Sequence, residues 1–446
     1  MGSAYTSIYG EPRRLKECFI GVGGMPRPVK EVWGTDPSGQ AKLFFSKPTS
    51  NTAKYQYVSL GDSIAAGHSI NGSWASNYGV GSQFGENGNT ATTLVPNCYT
   101  DLINKHLVSL YGSSNVTLKS FAHSGDKVED LIQKLNNSNV INSVKTASLV
   151  TVCIGANTVL GPALNKIEQY IKTGNPTLNA LEGEIGPALN VLRDNSNANS
   201  MFGLFNKLES INPNAKYIFT TIYNPYRYLH LDEGNNGFFG PILNTIPSMR
   251  ISIEDWMGFD IPFVDLSFDL ADLIKSGLLN TSAVRTLFTR VNALGGTSGW
   301  VEGQVNNLNS VLKGKVVEYN KENFTIIETK AKFDTYPATG NPGYNDLVNV
   351  EYVPGYNTAT MNWSALFNGA SAYDYWWNLV YSNLSFVDAR WSTNPMDYVN
   401  FNIENFAYQL VIDMVERVII PDIDPHPEEA GQRLLSELFI EGIPAR

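Results

Sequence analysis

Ser63 stands in Tyr55-Gln-Tyr-Val-Ser-Leu-Gly-Asp-Ser63-Ile-Ala-Ala-Gly67, an apolar run that reads as a strand, a sharp Gly-Asp-Ser turn and the start of a helix. A hydroxyl at such a turn projects from the mouth of a parallel sheet, beside helix-start N–H groups that favour negative charge. That is the setting of a nucleophile attacking a carbonyl. Gly-Asp-Ser alone is equally compatible with a serine that merely caps a helix. Three further residues follow in order. Gly125 ends Val116-Thr-Leu-Lys-Ser-Phe-Ala-His-Ser-Gly125, Asn157 ends Leu149-Val-Thr-Val-Cys-Ile-Gly-Ala-Asn157, and His426 lies in Asp422-Ile-Asp-Pro-His426-Pro. A serine, a backbone donor, an amide and an imidazole are the groups that acyl transfer requires.

This ordered set resembles the SGNH, or GDSL, family of serine hydrolases, whose four named residues match Ser63, Gly125, Asn157 and His426. The resemblance runs from about Tyr55 to Phe439 with long insertions. It implies an α/β fold, a three-layer α/β/α sandwich around a parallel sheet, and a Ser-His-Asp triad. It also implies an oxyanion hole of the Ser63 N–H, the Gly125 N–H and the Asn157 amide, with neither metal nor organic cofactor. Two positions depart from the family's usual pattern: Gly155-Ala-Asn-Thr158 replaces Gly-x-Asn-Asp, and Ile423 stands three before His426 where an aspartate is common. The triad acid is therefore Asp424 or Asp422. Pro425 pushes Asp424 into an extended conformation, in which residues two apart share a side, and this favours Asp424 for His426. The lack of Gly-x-Ser-x-Gly argues against an α/β-hydrolase nucleophile elbow.

The elements that must position these groups follow from alternating patterns. A helix is expected over Tyr99–Leu110, with Leu102, Ile103, His106, Leu107 and Leu110 on one face. Lys216 to Asn224 reads as a fourth strand and Phe324 to Glu328 as a fifth, behind a helix ending near Tyr319. Repeated strand-helix units predict a parallel sheet covered on both sides. A last helix begins at Pro427 and holds His426 just before its N-terminus. His68, His123 and His230 lack such a setting, although His123 lies two residues before Gly125 and is placed to line a pocket.

Two insertions are expected, at about 226–300 and 334–418, the second with Trp363, Tyr373, Tyr375, Trp376, Trp377 and Trp391. Trp376-Trp377 in an apolar, helix-compatible run reads as core rather than ligand platform. Residues 67–97, rich in Gly, Asn and Ser with Trp74, Tyr78 and Phe84, read as a long loop shaping a pocket.

Residues 1–50 read as a separate β-rich module ahead of a hydrolase domain over 51–446, joined by the polar stretch Ser46 to Thr52. Gly10-Glu-Pro-Arg-Arg-Leu-Lys-Glu and Gly24-Met-Pro-Arg-Pro-Val-Lys-Glu repeat at fourteen residues, with a degenerate copy near Gly39, and read as small hairpins. Units this short bury little alone and so point to assembly, with other proteins or as a homo-oligomer, the alternative being a ribbon folded onto its own domain. The pattern resembles short repeats of phage tail and virion structural proteins. That resemblance implies virion partners and a location on the particle. The Trp/Tyr/Asn/Ser-rich segments bordering the site, with no amphipathic membrane-binding stretch, suit an O-acetyl ester on a bacterial surface glycan. The alternative to an active esterase is a hydrolase scaffold retired to a structural or receptor-binding role.

Composition narrows the remaining classes. The 446 residues suffice for one large domain with insertions or for two to three smaller ones. A net charge of -10 without a Lys/Arg cluster argues against nucleic acid as the main partner. The three cysteines, 18, 98 and 153, include no Cys-x-x-Cys pair and suggest neither a disulfide framework nor a zinc site; Cys153, inside a strand, reads as a small core hydrophobe. The N-terminus lacks a signal-peptide pattern, and no run approaches the ~20 apolar residues of a membrane span, so a soluble protein without membrane insertion is expected.

Overall fold

The computed structural model describes residues 5–8, 11–14, 19–22, 25–28, 31–35, 41–46, 54–68, 95–231, 238–252, 267–350, 362–386, 399–420 and 423–443. Contacts divide the chain into Met1–Tyr55 with Leu107–Thr117, and Gln56–His106 with Leu118–Arg446. The first contains three antiparallel hairpins: Tyr5–Ile8 with Glu11–Arg14, Phe19–Val22 with Met25–Pro28, and Glu31–Thr35 with Ala41–Ser46. The first two share one register displaced by fourteen residues, Tyr5 facing Arg14 and Phe19 facing Pro28. The third has a register shift between Val32 and Trp33 and a longer second strand, in keeping with its degenerate sequence.

The central sheet is built on five strands: β1 (Tyr55–Gly61), β2 (Val116–Ser120), β3 (Leu149–Cys153), β4 (Lys216–Thr220) and β5 (Phe324–Ile327). Their spatial order is β5-β4-β3-β1-β2. The β1–β3, β3–β4 and β4–β5 pairs are parallel, with Tyr57 and Lys216 both level with Leu149. β3, the middle strand, is buried along its whole length, as a central strand covered on both faces must be, and its run Leu-Val-Thr-Val-Cys is apolar enough to accept this. Its polar Thr151 shares a 2.9 Å hydrogen bond with the Tyr57 hydroxyl, and Ser59 of β1 shares another with Thr100. Buried hydroxyls are thereby paired, as the low dielectric demands. Cys153 is buried, as its place in the strand predicts.

Helices connect the strands. Those used below are α1 (Ser63–Ala66), α2 (Tyr99–Tyr111), α3 (Val128–Lys134), α4 (Ala156–Val159), α5 (Trp300–Tyr319), α6 (Ala372–Tyr381) and α7 (Glu429–Glu441). The expected α2 and the helix ending at Tyr319 are present, α2 running one residue past Leu110. The last helix begins at Glu429 rather than at Pro427, because Pro427 ends a strand, β7 (Ile423–Pro427), paired antiparallel with β6 (Val348–Val350). The Asp-Pro and His-Pro dipeptides favour that extended backbone.

In α6 the two tryptophans separate. Trp376 is fully buried and donates its indole N–H to Thr245 Oγ1 at 3.1 Å, whereas Trp377 stacks between Tyr373 and Tyr381, which are 56% and 63% exposed. The core reading thus fits Trp376 alone, because a helix turns adjacent residues by about 100°. Trp74, Tyr78, Phe84 and Trp391 lie outside the described residues. Among the described residues no helix is long and apolar enough to cross a membrane.

Candidate active site

In the order β5-β4-β3-β1-β2, chain progression reverses between β1 and β3, so the helices after these two strands diverge and leave a crevice at their C-terminal ends. Ser63 follows β1, Asn157 follows β3 and Gly125 follows β2, so three of the four expected residues come to this crevice from three neighbouring strands.

Ser63 reaches it through a turn only glycine permits. Gly61 has φ +144°, and a Cβ there would sit 2.2 Å from the Cys153 carbonyl oxygen. The Asp62 N–H donates to that same carbonyl at 3.0 Å, holding the end of β1 against β3. Asp62, not Ser63, is the helix cap: its Oδ1 accepts the Ile64 N–H at 3.1 Å. This releases the serine from the capping role and makes it the first residue of α1, its N–H among those a helix leaves without an intrahelical acceptor. Asp62 is 1% exposed, and its Oδ2 has no hydrogen-bond partner among the described residues. Burial pushes its carboxyl up to about 7, against the opposing effects of the Ile64 N–H and nearby His426.

Gly125 occupies the third place of a turn closed by the Asp126 N–H on the His123 carbonyl at 3.1 Å, and its φ of +89° is what a type II turn needs there. The His123 N–H donates to the Gly61 carbonyl, seating this turn beside the nucleophile turn. The Asn157 Nδ2 donates to the Asp126 carbonyl at 3.2 Å. One amide hydrogen thus anchors the side chain to the glycine turn, and the other remains for a ligand. Thr158, where the family often has aspartate, accepts the Val128 N–H at 2.8 Å and so ties α4 to the first turn of α3. His123 lies beside this turn, its Nδ1 3.5 Å from Asp126 Oδ1.

His426 arrives from the other end of the chain, its Nε2 2.7 Å from Ser63 Oγ. Ser63 is 8% exposed and His426 is half-buried. The backbone bringing the imidazole there is extended over Ile423–Pro427, and Tyr223 donates its hydroxyl to the Pro425 carbonyl at 2.7 Å. Asp422 and the Asp424 side chain lie outside the described residues, so the acid that faces His426 Nδ1 is a matter for the proposal below.

Two residues not singled out by sequence reasoning complete the frame. Gln432 of α7 is fully buried, accepts the Tyr99 N–H at 2.9 Å and donates to the Ile64 carbonyl at 3.2 Å, clamping the helix that follows His426 to the helix that begins at Ser63. His68, the second residue after α1, packs its ring 4.5 Å from that of His426 and shares a 3.1 Å hydrogen bond with Ser124. Gln432 falls on the buried face of its helix, a position readable from periodicity, but its partners belong to distant segments.

The profile of the GDSL-like Lipase/Acylhydrolase family matches residues 57–282. Solved structures with a similar chain path include an extracellular lipase from Streptomyces rimosus, 12% identical with a TM-score of 0.35 over 65% of this chain and 86% of that one. A phospholipase A1 from Streptomyces albidoflavus is 14% identical, with a TM-score of 0.35 over 65% and 86%. A catalytic mutant of the acetylxylan esterase of Geobacillus stearothermophilus is 12% identical, with a TM-score of 0.34 over 89% and 100%. No curated protein matches the chain.

Proposed function

The chain belongs to the GDSL-like lipase and acylhydrolase family, and from that premise we propose that it is a serine esterase with Ser63 as nucleophile and His426 as general base. The observation that carries this reading is the 2.7 Å contact between Ser63 Oγ and His426 Nε2, at the crevice where the strand order reverses. The imidazole accepts the hydroxyl proton as Oγ attacks the ester carbonyl, then gives it to the departing alcohol. Water enters by the same base catalysis and releases the acid. Charge developing on the carbonyl oxygen meets the Ser63 and Gly125 N–H groups and the second hydrogen of the Asn157 amide; each such donor is typically worth about 3 kcal/mol in the barrier. Asp424 orients the imidazole through Nδ1, with Asp422 as the alternative acid.

Fluorophosphonate labelling tests the assignment directly. The wild-type chain is expected to label at Ser63 and to hydrolyse a short aryl ester. Ser63→Ala is expected to lose at least about 10⁴-fold in turnover, by analogy with other serine triads. Undiminished turnover in Ser63→Ala would remove Ser63 from the mechanism.

The acyl group in this reading is small, such as an O-acetyl group on a bacterial surface glycan, and residues 1–50 attach the esterase to a phage particle. The support is the aromatic, Asn- and Ser-rich sequence flanking the site and the fourteen-residue repeat. A 51–446 fragment is expected to prefer acetyl over long-chain esters and to fail to assemble. Faster turnover of long-chain esters, or normal assembly of the fragment, would refute the corresponding half.

A further inference from the structure

Resting on the serine-esterase reading, we infer that His68 is a positioning residue for the hydrolysis: its ring holds the His426 imidazole toward Ser63 and ties it to the turn carrying Gly125. His68 is 7% exposed, and its backbone N–H donates to the Ser63 carbonyl at 3.0 Å, so its place is set by the nucleophile turn itself. From there the side chain makes two contacts. Nδ1 shares a 3.1 Å hydrogen bond with Ser124 Oγ, the residue before Gly125. The ring lies against His426, with centroids 4.5 Å apart and planes tilted by 33°.

The second contact addresses a weakness of any histidine base. The torsion that turns an imidazole about its Cβ–Cγ bond is broad, so a 2.7 Å contact through Nε2 does not by itself hold the ring in the plane proton transfer needs. A flat neighbour restricts that torsion without competing for either ring nitrogen. A misplacement of about 1 Å in a reacting group costs on the order of 10²-fold in rate, so restricting this freedom has a measurable return. Through Ser124 the same side chain also steadies the turn presenting the Gly125 N–H, linking the base to the oxyanion donors.

The test compares His68→Ala with His68→Phe on p-nitrophenyl acetate, with active sites counted by fluorophosphonate titration so that only folded, competent enzyme is scored. His68→Ala is expected to lose about 10- to 100-fold in kcat with KM within about twofold. His68→Phe keeps a flat ring and loses the bond to Ser124, and is expected to recover to within about fivefold of the wild type. In the His68→Phe background, Ser124→Ala is expected to add no further loss. If His68→Ala does not fold, His68→Leu, which fills the volume without a flat ring, takes its place in the comparison. A kcat within twofold of wild type in His68→Ala, or a His68→Phe as slow as His68→Ala, overturns the inference. A wild-type chain that fluorophosphonate does not label overturns the serine-esterase reading and this inference with it. A labelled wild type with unaffected variants overturns this inference alone.

Discussion

Two polar clusters sit at the C-terminal edge of the same sheet, and only one has the groups of a catalytic site. Beyond β4 and β5, Glu302 of α5 accepts from Asn224 at 2.8 Å and from Lys330 at 2.7 Å, Lys330 also bonds Asp334 at 2.6 Å, and Arg227 lies 3.2 Å from Asp334. Two acids face two cations. Burial would raise the Glu302 carboxyl, but the bonds from Lys330 and Asn224 prevail and hold it below the usual glutamate range. Beyond β1, β2 and β3 charge is present as well, Asp126 pairing with Lys134 and lying 3.5 Å from His123. A hydroxyl touches an imidazole, an amide donates to the Asp126 carbonyl, and a buried carboxyl is pushed up to about 7 with one oxygen unbonded among the described residues. The density of titratable groups therefore does not mark the site. The distinguishing feature is a hydroxyl in contact with an imidazole at the place where the strand order reverses, whereas the ion-pair cluster joins acids to cations and braces the exits of β4 and β5.

The contrast is sharpest where the proposed catalytic cluster needs its acid. Replacing the aspartate that faces His426 Nδ1 is expected to cost about 10⁴-fold in turnover, so Asp424→Asn and Asp422→Asn are expected to give one large and one small loss, the large one in Asp424→Asn. A large loss only in Asp422→Asn would reassign the acid, and near-normal rates in both would mean that another group orients the imidazole. In the bracing cluster, Lys330→Met leaves Glu302 and Asp334 without their shared cation. It is expected to lower unfolding stability by about 3 kcal/mol in a denaturant titration while leaving kcat per titrated active site within about threefold. A loss of turnover without a loss of stability would erase the distinction between the clusters.

A further expectation concerns Asp62. Its folded pKa is raised above the unfolded value, so the folded state retains a proton that the unfolded chain releases. This favours folding fully below the unfolded pKa of 3.8, and the contribution is lost as pH rises through about 7. Asp62→Asn keeps an oxygen for the Ile64 N–H and removes the titration. Its stability is expected to fall less than the wild type's between pH 4 and 7 in thermal melts, and identical slopes would show that Asp62 does not titrate in that window.

The residue types of the catalytic cluster were legible because each follows its own strand within a few positions. Alternating apolar residues end at Gly-Asp-Ser63, at Ser-Gly125 and at Gly-Ala-Asn157, and strand and turn chemistry act over such short ranges. The same locality made the fourteen-residue hairpins and the helix ending at Tyr319 readable. Which neighbour caps α1 is not legible in the sequence, since Ser63 and Asp62 both suit a helix start and only the backbone turn decides which side chain faces Ile64.

Sequence alone thus determined the β-α alternation, the sharp turns at glycine and the four residues whose chemistry fits acyl transfer. Tertiary structure decided what meets what. It placed His426 on Ser63 across 363 positions of chain, clamped α7 to α1 through Gln432, gave Thr158 the start of α3 and laid His68 against His426. The physical reason is one of range. Propensity, capping and hydrophobic period are set by neighbours along the chain, whereas the meeting of two side chains at about 3 Å depends on strand register and helix docking, which the whole core fixes together.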